Sequence, residues 1–149
     1  MSFKKELLEQ INTNLLELEH EIKTEINSVQ EEMSMETKSS AGDKFETSRE
    51  MMSQEKNRLE ERLGSVHTKK RSIREMMDTT TPSSINQGTL VTTEENLFLF
   101  GLSLGKIDFK GKTIMAVSLN SPIGKAFHGK KINEQVSFMN KQYTIQKLS

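Results

Sequence analysis

LEQINTNLLELEHEIKTEINSVQEEM, residues 8–33, places apolar side chains at Leu8, Ile11, Leu15, Leu18, Ile22, Ile26, Val29 and Met33, in steps of three and four. This is the seam of a coiled coil, with Glu and Lys filling the positions between. After a polar interval the period resumes at Phe45, Met52, Leu59, Leu63, Val66, Ile73 and Met77. Paired antiparallel, Leu8 with Met77, Ile11 with Ile73, Leu18 with Val66, Ile22 with Leu63 and Met33 with Met52 have position numbers adding to 84 or 85. A constant sum is what a hairpin requires, and half of it puts the turn at Gly42–Asp43, beside the run Ser39-Ser40-Ala41-Gly42. Gly42 can take positive φ at little cost. Each arm of about 35 residues would extend roughly 50 Å. Lys56 and Lys70 interrupt the seam, where they could snorkel or fix the register.

Composition agrees with an elongated helical part beside a small globule. Only 33% of the 149 residues are hydrophobic and 28% are charged, too polar for one compact core of that length. The chain has no cysteine, which excludes disulfides and thiolate metal sites and fits a reducing compartment. No leader is expected from MSFKKELLEQI, and no apolar run reaches the roughly 20 residues a membrane helix needs. A soluble, cytoplasmic protein without membrane association is expected. Net charge is zero but unevenly spread: residues 1–80 carry a net of −4 and residues 81–149 a net of +4. A helical half with this sign disfavours duplex binding by the whole chain and suits a protein partner. Independent binding of DNA or RNA stays open.

The run Thr79–Ser84 with Pro82 ends the second helix, so the domains expected are a coiled-coil hairpin over 1–80, a linker over 81–88 and a β-rich domain over 89–149. Thr89–Thr93, Asn96–Ser103 and Lys112–Leu119 read as strands, with turns or bulges at Gly101, Gly105 and Gly111. Ser121 as N-cap and Pro122 at the first position introduce a short helix over Ile123–Phe127, which Gly129 ends. Gln135–Met139 and Gln142–Leu148 form a last hairpin across Asn140-Lys141. The class is α+β, with a bent antiparallel sheet.

Two stretches resemble the Gre family of bacterial transcript-cleavage factors, and with the architecture the resemblance covers nearly the whole chain. Gly42-Asp43-Lys44-Phe45-Glu46 is similar to the family's tip of Gly-Asp, two variable residues and Glu. Val117-Ser118-Leu119-Asn120-Ser121-Pro122-Ile123-Gly124-Lys125-Ala126, followed by Gly129-Lys130, is similar to its C-terminal signature, in which Asn-Ser-Pro-Ile-Ala-Arg follows a strand. The resemblance implies an FKBP-like C-terminal domain that docks on RNA polymerase through a loop containing Asn120, Ser121, Pro122 and Ile123. It also implies a hairpin that enters the secondary channel. There Asp43 and Glu46 would help hold a second Mg²⁺ and promote cleavage of the 3′ end of backtracked RNA. The factor would be a monomer with no cofactor of its own, and no enzyme alone. Thr47-Ser48-Arg49-Glu50 stands where the family has Asn-Ala-Glu-Tyr, and Asn133-Glu134 stands where it has Gly-Asp. These departures leave a second reading, a channel-binding regulator that modulates or inhibits polymerase without stimulating cleavage.

The chemistry of the acid pair is independent of the resemblance. Mg²⁺ keeps several waters and accepts one or two carboxylates plus phosphate. A second metal can activate water and stabilise an in-line displacement. Asp and Glu three residues apart at a helix start share a face, but the same pattern is also a common helix-start device. His20, His67 and His128 lack metal-site spacing and read as surface residues. Lys69-Lys70-Arg71 with Arg74 reads as a solvated face or a contact for an acidic protein. Two further classes stay in play: a dimeric structural coil, and a prolyl isomerase, which the scarcity of aromatics (no Trp, one Tyr) argues against.

Overall fold

The computed structural model describes residues 2–38, 43–77 and 80–149, at 36–38 and 43–45 for the backbone. Helix α1 spans Phe3–Lys38 and α2 spans Asp43–Met76. Ser2 caps α1, its Oγ accepting from Lys5 N at 3.1 Å, and Glu6 in the first turn complements the helix dipole. The expected turn at Gly42 lies outside the described residues.

Contacts divide the chain into two compact units, Ile11–Lys70 and a second made of Met1–Gln10 with Arg71–Ser149. The change of secondary structure near residue 80 is therefore not where the contacts divide. In the first unit Ile11, Leu15, Ile22, Ile26, Leu59 and Val66 are buried, whereas Leu18, Val29, Met33, Met52 and Leu63 are half-buried. The seam reading holds for the period and overstates the depth: a pair of helices covers the flanks of its own seam only partly. Glu19 links the two helices, with Lys70 Nζ at 3.1 Å and His67 Nε2 at 3.0 Å.

The second unit is built on a five-stranded sheet of order β3-β4-β2-β1-β7. Its strands are β1 (Leu90–Thr92), β2 (Leu97–Phe100), β3 (Gly105–Phe109), β4 (Lys112–Val117) and β7 (Lys147–Leu148). Helix α3 (Pro122–Phe127) follows β4, and β5 (Gln135–Phe138) pairs with β6 (Lys141–Thr144) in a separate two-stranded sheet. The expectation of an antiparallel sheet needs correction, because β2 and β4 run parallel, with Phe98 beside Met115 and Phe100 beside Val117. Between them the chain passes the end of β4, with Gly101 N donating to Val117 O and Leu104 N to Ala116 O. It then returns antiparallel as β3, between Gly105 and Gly111, where the sequence pattern predicts turns or bulges and no strand. Gly101 at φ 120° and Gly105 at φ 73° make that path possible. The β5–β6 connection is the two-residue turn Met139-Asn140, both at positive φ, one position earlier than expected.

Alternation along the strands gives each face of the sheet its own cover. One face carries Val91, Phe98 and Phe100, which pack with Phe127 of α3 and with Val136 and Tyr143 of the β5–β6 hairpin. The rings of Phe98, Phe100, Phe127 and Tyr143 touch one another, with centroids 5.1–5.7 Å apart. The opposite face carries Leu90, Leu99, Ile114 and Ala116, all buried as well. Phe109 lies on this face by register and meets Phe3 at 5.6 Å, while Lys110 pairs with Glu6. Met76 lies so close to Gly88 that a Cβ there would be 2.8 Å from its Cγ. The first turns of α1 and the last of α2 thus belong to the β-domain's core. That explains why Leu7 and Met76 are buried, where the seam reading had chosen Met77.

Candidate functional site

Two sets of residues single themselves out, and they belong to different units. The first is the start of α2. Asp43 begins the helix, so Asp43 and Glu46 stand three positions apart in its first turn, where the positive end of the helix dipole favours carboxylates. Glu46 is exposed, as are Thr47, Arg49 and Glu50 after it. On the flank of the same unit, Val29, Glu32, Ser48, Met51, Met52 and Glu55 line an open groove of about 320 Å³. No cluster of three or more His, Cys, Asp or Glu side chains suited to a metal occurs among the described residues. Two carboxylates alone are a donor set for a weakly held, largely hydrated Mg²⁺ and not for a protein-only cage.

The second set is the loop between β4 and α3. Ser121 caps α3: its Oγ accepts from Gly124 N at 3.1 Å and donates to Ser118 O at 2.5 Å. Asn120 N donates to Ser118 Oγ at 3.0 Å. Gly124 is the reason the loop can lie so close, since a Cβ there would stand 2.2 Å from Ser118 O. The four residues expected at a partner surface are therefore not equivalent. Asn120 and Pro122 are exposed, Ser121 is half-buried and occupied by capping, and Ile123 packs against the aromatic core.

Compared with known proteins, the chain matches no family model, no curated protein and no solved structure.

Charged networks elsewhere refine the reading. Glu19 accepts from Lys70, and this hydrogen bond holds its carboxyl below the usual carboxylate range, with Lys23, Lys70 and His67 adding to the effect against a desolvation penalty. Lys70, one of the two seam interruptions, is thus a cross-helix partner, whereas Lys56 lies 3.9 Å from Glu60 one turn on. His67, a surface residue on the sequence pattern, is half exposed and also meets Glu19. Its place across from Glu19 was legible, because 19 and 67 add to 86, close to the pairing sum. In the β-domain, Glu94 accepts from Thr144 N at 2.7 Å, a backbone hydrogen bond that lowers its carboxyl below the ordinary value. Arg71 and Arg74 are exposed, and no helix among the described residues is long and apolar enough to cross a membrane. Phe98, Phe100 and Phe127 pack on one another and are at most 4% exposed.

Proposed function

We propose that this chain is a Gre-type factor of bacterial RNA polymerase, acting in the cytoplasm, whose paired helices carry Asp43 and Glu46 into the secondary channel. The observation that carries the reading is that α2 begins at Asp43, so the two acids of the tip-like motif share the first helical turn. The capped Asn120–Ile123 loop on an α+β domain supports it independently. On this reading the domain is FKBP-like, and Asn120 and Pro122 are the loop residues free to meet the polymerase.

Mg²⁺ would be shared with the polymerase, supplying an activated water and charge stabilisation for hydrolysis of a phosphodiester in backtracked RNA. Asp43 and Glu46 would orient that ion and its water while the polymerase holds the RNA 3′ end. The chain alone is then no nuclease, because a two-carboxylate site is completed only by phosphate and partner ligands. The test is RNA cleavage by stalled elongation complexes. Asp43→Asn and Glu46→Gln should each lower stimulated cleavage by at least about 100-fold, the order seen when electrostatic catalytic groups are removed, with binding to polymerase retained. Stimulation that persists in both variants would sink the assignment of these acids. The presence of Arg49 in place of the family's acid favours the second reading, a channel-binding modulator. That reading predicts slower elongation and no added cleavage by the unaltered protein.

A further inference from the structure

Strand β3 is one edge of the five-stranded sheet, and among the described residues no strand pairs with its outer side. The opposite edge, β7, has only 2 residues, whereas β3 has 5. The β3–β4 hairpin closes on Lys110-Gly111, both at positive φ, so Phe109 and Lys112 form its first hydrogen-bonded pair. Such pairs alternate along an antiparallel ladder. Ile107 therefore also turns its N–H and C=O toward β4, while Lys106 and Asp108 turn theirs outward. Gly105, Lys106 and Asp108 are exposed. Lys106 forms no ion pair among the described residues, and Asp108 accepts from Thr113 Oγ1 at 2.8 Å.

We propose that this edge pairs with the same edge of a second copy, β3 against β3, antiparallel about a two-fold axis at Ile107. Lys106 of each copy then lies opposite Asp108 of the other, and alternation puts both charges on one face. The same two residues supply the outward N–H and C=O groups, so charge pairing and backbone pairing coincide in one register. A slip of one residue sets outward backbone groups against inward ones. A slip of two sets Lys106 against Lys106 or Asp108 against Asp108, and like charges directly opposite are unfavourable. In the matched register Gly105 of one copy meets Phe109 of the other, a small residue against a large one. A charge on an edge strand, lysine above all, ordinarily keeps sheets apart. Here the cation is balanced by an anion at the spacing that two-fold pairing needs. A second copy suits the edge better than a foreign peptide, because the strand is its own complement in charge and in hydrogen bonding. The proposal is independent of the polymerase reading, and it replaces the monomer that the family resemblance implies.

Sedimentation equilibrium of the intact chain, over a micromolar to near-millimolar series without polymerase, tests it. Wild type should show a reversible monomer–dimer equilibrium. The amides of Lys106 and Asp108 should exchange more slowly as the dimer fills, while that of Ile107, bonded within the sheet, stays as it is. Lys106→Asp and Asp108→Lys should each weaken self-association about tenfold or more, because the two-fold axis makes every reversal act twice. The two variants mixed together, and the double variant Lys106→Asp/Asp108→Lys, should both regain the wild-type affinity. A wild-type chain that stays monomeric throughout the series would overturn the proposal. So would a dimer that both single reversals leave intact, which would assign the contact to the helices. Unslowed exchange at Lys106 and Asp108 in the dimer, or no recovery in the mixture and the double variant, would overturn it as well. None of these outcomes touches polymerase binding, so the two readings fail separately.

Discussion

Gly124 shows how far one missing methyl group shapes the loop that carries the stronger of the two sequence motifs. Alanine would ordinarily favour a helix by about 1 kcal/mol over glycine. Here the added Cβ would lie 2.2 Å from Ser118 O and 2.6 Å from Leu119 Cα, both backbone atoms that cannot swing away. Overpacking of that kind costs about 1–3 kcal/mol and here also strains the capped turn, so the clash outweighs the propensity gain. Gly124→Ala should therefore lower the melting temperature of the β-domain, as read by thermal unfolding. An alanine variant as stable as wild type, or more so, would show that α3 can lift off the 118–119 backbone. The Ser121 cap and the first-turn Pro122 of α3 were legible from sequence. The need for glycine was not, because it depends on how closely a helix approaches a strand end.

Among the elements, the helices were the most legible and the sheet the least. Helical period survives in any sequence with a buried stripe, and the pairing sum of 84 or 85 brings residue 19 within a position or two of 67; Lys70, three residues further on, reaches Glu19 through its long side chain. The strand β3 was missed because Gly105–Phe109 is an edge strand with alternate residues exposed, bounded by glycines that read as loop. Its partner β4 also pairs parallel to β2, a non-local choice that local pattern does not encode. The cross-helix network makes a prediction of its own. Glu19 has a depressed carboxyl pKa through its bond to Lys70, so the stabilisation it provides is fully present above the unfolded value of 4.5. It is lost as pH falls through the lower folded value. Wild type should thus be more stable than Glu19→Gln at neutral pH, and the two melting curves should converge as the pH is taken below the ordinary carboxylate range. Circular dichroism melts across that range would decide it. A gap independent of pH would mean that packing at residue 19, and not its charge, is what matters.

At the scale of the molecule, the β-domain does not end where the strands end. Its compact unit takes in residues 1–10 and 71–80 as well as the strands, with Phe3 on Phe109, Glu6 on Lys110 and Met76 against Gly88. Leu90, Leu99 and Ile114 line the sheet face turned toward those helical ends, at most 4% exposed. A fragment of residues 81–149 would return that face to water. Re-exposing three large aliphatic side chains costs about 1.5–3 kcal/mol each, a total comparable with the roughly 5–15 kcal/mol that holds a domain together. The fragment should accordingly lack a cooperative melt or show one far below that of the full chain, with poorly dispersed amide signals. The aromatic layer on the other face would be intact, so hydrophobic-dye binding without full loss of strand content is the expected appearance. A fragment with native dispersion and an unchanged melting temperature would mean that the helical ends rest on the sheet without stabilising it. The β-domain would then be an independent folding unit after all.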